Sequence, residues 1–418
     1  MRTCASLLLS ALLVMGQQPP APPAAAPAPP PPPDPIATMV GRLDLEKYKA
    51  TIKGLTQFGD RRQGTDRNRQ ALDWIEAQLK SYGCVNTERI KYNYEPPAGR
   101  GGANGAGRGG AAAGANGAGR GAQSATVGPG GARRRGNRQP ESVNNDPLKQ
   151  PDEKLRALNT PPSVPGERED VYCTKIGTTH PEEMYIVAGH MDGIGYGEAA
   201  NDDGSGTALV MELARVFSNP DVKTERSIRF ALWNNEETGL NGARAYADQR
   251  KDLQGKENPP GSGKYPEPKW LGMIQHDMML FDHGMPHKDG SMSKEQRPEA
   301  DVNIEYAMTA KMADAAMLLA HKFQLANEKY ATDYPANIGP HMTNTDSDPF
   351  KDLTAALSLR ELERGAQIGN GWDPHHHQPT DLFTTFNDDD FRLGLNAAQT
   401  TLGAIAQLTG ATLLDAGK

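Results

Sequence analysis

Apolar and polar positions follow two rhythms along this chain. From Asn68 to Ser81 the apolar residues Ala71, Leu72, Ile75 and Leu79 recur at helical spacing, which predicts an amphipathic helix. Cys84–Tyr94 reads as extended, so residues 36–96 run helical first and strand-like after. Further on come apolar runs of strand length: Val171–Ile176, Met184–Ala188, Ser227–Trp233, Trp270–Gln275 and Ala355–Leu359. Between and after them lie stretches at helical period: Gly204–Phe217, Leu240–Arg250, Val302–Phe323 and Asp389–Gln407. Alternating strands and helices predict an α/β fold, a mixed, mostly parallel sheet flanked by helices on both faces.

Two stretches lack either rhythm. Residues 19–35 contain 11 prolines, and residues 97–140 are mostly Gly, Ala and Arg, with Gly-Ala-Asn-Gly-Ala-Gly-Arg-Gly present at 102–109 and again at 114–121. Neither can bury enough apolar surface to offset its ordering entropy. Residues 141–168 are polar and read as loop, so the chain divides into a segment 1–16, a Pro/Ala linker 17–35, and one domain 36–418 with a disordered insertion at about 97–168.

Charge and cysteine usage refine this picture. The tract 96–140 carries seven Arg and no acid, against a chain total of −7, so the remainder carries −14. An acidic body suits a site that gathers cations. The tract has no aromatic residue on which a base could stack, and no nucleic-acid partner is expected. Arg2 followed by the apolar run Ala5–Met15 reads as an export signal, too short for a bilayer span. Export would leave Cys84 and Cys173, which suit either a disulfide or two small buried hydrophobes.

Several apolar runs end in chemistry. His190 closes one, with Asp192 two positions on and therefore on the same side of an extended chain, placed to receive the imidazole's other N–H. Asp202-Asp203-Gly-Ser-Gly opens a helix, where one Asp can hold a metal while the other caps. Glu236-Glu237 follows a strand, where neighbouring side chains diverge, so one can bind a metal and the other take a proton from water. Asp277 follows another strand, and His377 lies in His375-His-His-Gln-Pro-Thr-Asp381, whose His375 and His376 read as a nonspecific metal tract or an exposed loop. Each piece alone is ordinary.

In this order the pieces resemble the M28 family of zinc peptidases, which includes secreted aminopeptidases and glutamate carboxypeptidases. Lys175–His190 and Glu236–Ala247 are similar to the family's flanking text, and the likeness extends over 169–409, more loosely over 36–96. The resemblance implies a zinc-exopeptidase fold and two Zn²⁺ per chain. Asp202 would bridge them, with Glu237 and His377 completing one metal and His190 and Asp277 the other. Glu236 would be the general base, and Asp192 would orient His190, as Asp381 would His377. The peptide bond after Asp202 would be cis.

Thr345-Asp-Ser-Asp-Pro-Phe350 departs from the family's Ser-Asp-His-x-Pro-Phe, with Ser347 in place of the His, which bears on the substrate pocket. The expected function is an exported di-zinc aminopeptidase acting on peptides, with no membrane span. A glutamate-releasing carboxypeptidase, for which Arg360 and Arg364 are candidate carboxylate partners, is the alternative. Behind it stand a single-zinc glutaminyl cyclase and a non-catalytic binding module, both disfavoured because all five ligand positions are present.

Overall fold

Strands that bury both faces carry apolar side chains at consecutive positions, and four such strands lie together in parallel at the centre of this fold. They belong to an eight-stranded sheet built from β1 (Thr87–Tyr94), β2 (Gly166–Lys175), β3 (His180–His190), β5 (Arg226–Trp233), β6 (Lys269–His276), β7 (Val302–Glu305), β8 (Ala336–Gly339) and β9 (Ala356–Glu361). The spatial order is β1-β2-β5-β3-β6-β9-β7-β8. Strands β5, β3, β6 and β9 run parallel, as do β7 and β8, while β1–β2, β2–β5 and β7–β9 are antiparallel. A separate ribbon pairs β4 (Val222–Lys223) with β10 (Thr412–Leu413). The computed structural model describes residues 34–84, 86–96, 143–281, 302–331, 333–340, 344–361 and 373–414.

Alternation along the strands sorts side chains into two cores. Tyr185 and Val187 of β3, with Ile228, Phe230 and Leu232 of β5, join the larger one. Its other wall comes from α1 (Pro35–Val40), α2 (Leu45–Thr56), α3 (Asp66–Ser81), α5 (Gly204–Phe217), α7 (Ala313–Tyr330) and α8 (Asp388–Leu408). Met184, Ile186 and Ala188 of β3, with Ala231 and Trp233 of β5, face the other way onto α6 (Asn241–Arg250) and Phe350. Each fully buried Leu, Ile, Val or Phe contributes about 1.5–3 kcal/mol.

Three expectations are corrected or narrowed. Val302–Phe323 is not one helix. Val302–Glu305 is strand β7, and the helix begins at Ala313. Val302 and Ile304 are spaced by two, which fits a strand with one apolar face, and β7 supplies the ladder partner that the β9 edge needs. Strand β8 carries no apolar run and was not expected. Residues 143–168, read from sequence as loop and as part of a disordered insertion, contain α4 (Glu153–Asn159) and the start of β2. Their polar side chains bond to neighbouring loops, a source of order that apolar periodicity does not register. The expected signal 1–16, all of the linker 17–35 but its last two residues, and the Gly/Ala/Arg tract lie outside the described residues.

Cys84 and Cys173 form a disulfide, with Cα atoms 6.0 Å apart and both residues buried. No helix among the described residues is long and apolar enough to cross a membrane.

Candidate active site

Parallel neighbours end at the same edge of a sheet, so residues just past β3, β5 and β6 meet however distant they are in sequence. His190 ends β3 opposite Trp233 of β5, and Glu236–Glu237 follow on the next turn. Across β3, Ala188 pairs with Gln275 of β6, and Asp277 is the first residue beyond that strand. The loop into α5 supplies the rest. Asp203 caps that helix through Gly206 N (2.8 Å), and its other oxygen accepts from His190 N (2.9 Å). Glycine makes this closeness possible, since a Cβ on Gly206 would stand 2.5 Å from the His276 carbonyl oxygen. The Asp202–Asp203 peptide is cis, as the resemblance implied.

All five expected ligands converge. The Asp202 carboxylate stands between two imidazoles, Oδ1 3.3 Å from His190 Nε2 and Oδ2 2.9 Å from His377 Nε2. Asp277 Oδ1 lies 3.7 Å from His190 Nε2, and Glu237 Oε2 lies 2.8 Å from His377 Nε2. Glu236 does not diverge from this cluster. Its carboxylate lies with the His190 and Asp277 ligand atoms, all within 4.8 Å of one another.

The donor set suits a metal. His190 Nδ1 is 3.1 Å from the carbonyl oxygen of Asp192, which can only accept, so Nδ1 carries a proton and Nε2 is the atom presented to Asp202 and Asp277, the one a metal would take. Asp202 Oδ2, Glu237 Oε1 and Asp277 Oδ1 are buried and accept no well-directed hydrogen bond. Lone pairs converging from imidazoles and carboxylates in a buried site call for positive charge between them.

Burial works against every charge here. It pushes the Glu237 carboxyl up to about 7 in spite of His377, and it carries Glu236 well above the ordinary carboxylate range. Burial also opposes ionisation of Asp202, but His190 and His377 outweigh it and hold that carboxyl well below its usual value. Asp277 falls to about 2, burial being overcome by Arg360 and His190.

The surrounding residues correct several expectations. Asp192 orients His190 through its carbonyl rather than its carboxylate, whose Oδ1 is 3.8 Å away and accepts from Glu236 N at 3.0 Å. Asp192 thus fixes both the imidazole and the Glu236–Glu237 turn. Asp381 bonds the backbone N–H groups of Asn201 (2.8 Å) and Asp202 (3.1 Å), and no bond to His377 is seen among the described residues. It holds the bridging loop instead.

His376, read from sequence as part of a nonspecific metal tract or an exposed loop, has Nε2 3.3 Å from Asp202 Oδ2 and stacks on His377 with ring centroids 3.7 Å apart. An extended chain would send these neighbours to opposite sides. His377 sits at φ 57, in the left-handed region, which breaks the alternation. Burial, then the charge on His377, lowers the His376 imidazole to about 3.

Asp346 is a further addition. It is fully buried, neither carboxylate oxygen has a hydrogen bond among the described residues, and it is close enough to Glu236 to raise that carboxyl further. Arg360 pairs with Asp277 Oδ2 at 3.1 Å, whereas Arg364 lies outside the described residues. Ser347, where the family pattern has His, bonds Ser358 Oγ at 2.6 Å. Burial without partners marks Asp346 as distinct, and nothing in its sequence context does.

Comparison with known proteins agrees with this geometry. Carboxypeptidase Q of Xenopus laevis is 31% identical over 98 residues, 23% of this chain and 20% of that protein. Aminopeptidase YwaD of Bacillus subtilis strain 168 is 37% identical over 79 residues, 19% of this chain and 17% of its own. The chain therefore matches only about a fifth of the length of these relatives. Among solved structures, an aminopeptidase from Aneurinibacillus sp. strain AM-1 superposes with TM-score 0.55 at 16% identity, over 91% of this chain and 97% of that one. BSAP, a zinc aminopeptidase from Bacillus subtilis, gives 0.54 at 14%, over 88% and 95%. Porphyromonas gingivalis glutaminyl cyclase gives 0.51 at 15%, over 88% and 99%. These likenesses establish the shared fold. The pattern of peptidase family M28 matches residues 171–397, more than half of the chain, and the protein therefore belongs to that family.

Proposed function

We propose that the protein is an exported di-zinc exopeptidase that removes N-terminal residues from peptides. The observation that carries this reading is the Asp202 carboxylate, whose two oxygens face different imidazoles, His190 on one side and His377 on the other. His190 and Asp277 would hold one zinc and Glu237 and His377 the other, with Asp202 shared. Zinc accepts this mix of imidazole and carboxylate, and the named relatives include a zinc aminopeptidase. When bound, the metals would supply Lewis acidity toward the scissile carbonyl and lower the pKa of the attacking water.

The side chains do the rest. Glu236, held through its backbone by Asp192, takes the proton of the attacking water and returns it to the leaving amine. Its burial keeps the carboxyl basic enough for that exchange. Arg360, a candidate partner for a terminal carboxylate, is paired with Asp277. Asp346, buried close to Glu236 with neither carboxylate oxygen hydrogen-bonded among the described residues, offers acceptor atoms that a free α-ammonium group could take. Both points favour an aminopeptidase over a carboxypeptidase. The disulfide suits an oxidising compartment and supports export.

A panel of aminoacyl chromogenic substrates, N-blocked peptides, C-terminal glutamyl peptides and N-terminal glutaminyl peptides tests the assignment. Turnover of the free-amine substrates alone is the expected result. Release of C-terminal glutamate from blocked peptides, or cyclisation of glutamine, would replace it with one of the rival activities.

A further inference from the structure

Residues 144–159 lie in the stretch that the sequence reads as loop, yet three of their side-chain amides are almost fully buried: Asn144, Gln150 and Asn159. Each donates to a backbone carbonyl of the loop after Asp192. Asn144 Nδ2 reaches Gly195 O (3.2 Å), Gln150 Nε2 reaches Tyr196 O (2.9 Å), and Asn159 Nδ2 reaches Gly197 O (2.7 Å). The same segment also grips the loop that carries His377. Asn144 N donates to His377 O (3.1 Å), and Gln150 Nε2 donates a second bond to Pro379 O (3.0 Å). A buried amide is costly unless bonded, so these partners fix the segment and the two loops against each other.

The bonded carbonyls are not a random selection. Gly195, Tyr196 and His377 all have left-handed backbones, with φ of 98, 69 and 57. For Tyr196 and His377 that region is disfavoured and persists only where the surroundings impose it. The two loops also touch directly, since a Cβ on Gly195 would stand 2.4 Å from the His377 carbonyl carbon. The left-handed turn at His377 is what aims its imidazole at Asp202 and Glu237.

We infer that residues 144–159 form a clasp in which Asn144 and Gln150 are positioning residues for His377, setting the affinity of the metal held by Asp202, Glu237 and His377. This rests on the two-metal reading above. The residues act on the metal through the backbone, as the outer partners of a ligand do elsewhere, where their loss weakens metal binding by about 10–100-fold.

Gln150→Glu tests the idea with least change of shape, since it keeps the side chain's length and removes both N–H donors. Gln150→Ala and Asn144→Ala are companions, and Leu148→Gln, at an exposed position of the same segment, is the control. Full-length proteins stripped by chelator are titrated with Zn²⁺ by calorimetry, and the melting temperature of the metal-free form is recorded. The expected result is two wild-type equivalents, one weakened by about 10–100-fold in the clasp variants and the other unchanged. Excess Zn²⁺ should restore turnover, and Leu148→Gln should match wild type. Unchanged affinities in Gln150→Glu, or parallel loss of both equivalents with a lower metal-free melting temperature, would overturn the clasp. A wild-type protein that binds a single zinc would instead overturn the two-metal reading.

Discussion

Replacing Cys84 and Cys173 together by Ala should cost the fold several kcal/mol. The bond joins the turn after α3 to β2 and closes a loop spanning 89 residues, which contains the whole Gly/Ala/Arg tract. In the native state its ends are already held, because Thr87 of β1 pairs with Cys173 of β2. The bond therefore acts mainly on the unfolded chain, by denying it the conformations in which those ends separate. For a separation of this size the chain-entropy relation gives about 4.6 kcal/mol at 25 °C. That value is an upper figure, as residual structure in the unfolded chain reduces it. Deleting residues 101–140 would shorten the loop to about 49 residues yet lower the bond's contribution by only about 0.5 kcal/mol, because closure entropy grows with the logarithm of length. The assay is urea unfolding of the oxidised protein, the double Ala variant, the deletion, and the deletion combined with the double variant. A cost below about 1 kcal/mol for the double variant would refute the reasoning. So would a native, oxidised protein in which Cys84 or Cys173 reacts with a thiol reagent.

Two further predictions follow from the site and the surface. Glu236→Gln preserves the shape of the proposed base and its backbone bond from Asp192, so metal content should stay at the wild-type level while kcat falls by about 10²–10⁴-fold; turnover within a few-fold of wild type would remove Glu236 from that role. Lys175 donates to Val222 O at 2.9 Å, and burial, then the charge on Lys223, holds its ammonium down from 10.5 to about 8. Between those two values the unfolded chain binds more protons than the folded one, so this group's contribution to stability rises with pH across that window and its penalty is fully present below it. Lys175→Met should therefore stabilise the protein at pH 7 by about 1 kcal/mol, after allowance for partial exposure, and lose that advantage by pH 10.5 in thermal melts.

Much of the architecture was legible because the inner strands are buried on both faces. Met184–Ala188 and Ser227–Trp233 read as mostly apolar runs of strand length, and the residues that follow them meet at one sheet edge. His190, Asp202, Glu237, Asp277 and His377 are named from sequence only through the likeness to the M28 motifs, and the fold brings them together. Elsewhere local pattern was insufficient. Val302 and Ile304 are too few to separate a strand from the first turn of a helix, and only pairing with β9 and β8 decides it. His376 faces Asp202 because one residue adopts a left-handed backbone, which no periodicity announces. Asn144, Gln150 and Asn159 look like loop residues because their order comes from side-chain amides bonded to distant carbonyls. The resemblance links Asp381 to His377, and the fold turns it onto the backbone of Asn201 and Asp202 instead.

The central claim is that Asp202 bridges two metals, and anomalous diffraction from zinc-loaded crystals above and below the zinc edge tests it most directly. The account predicts two peaks of similar height that bracket the Asp202 carboxylate, one against His190 and Asp277 and the other against Glu237 and His377. A single peak in a catalytically active crystal, or two peaks that Asp202 does not separate, would contradict it.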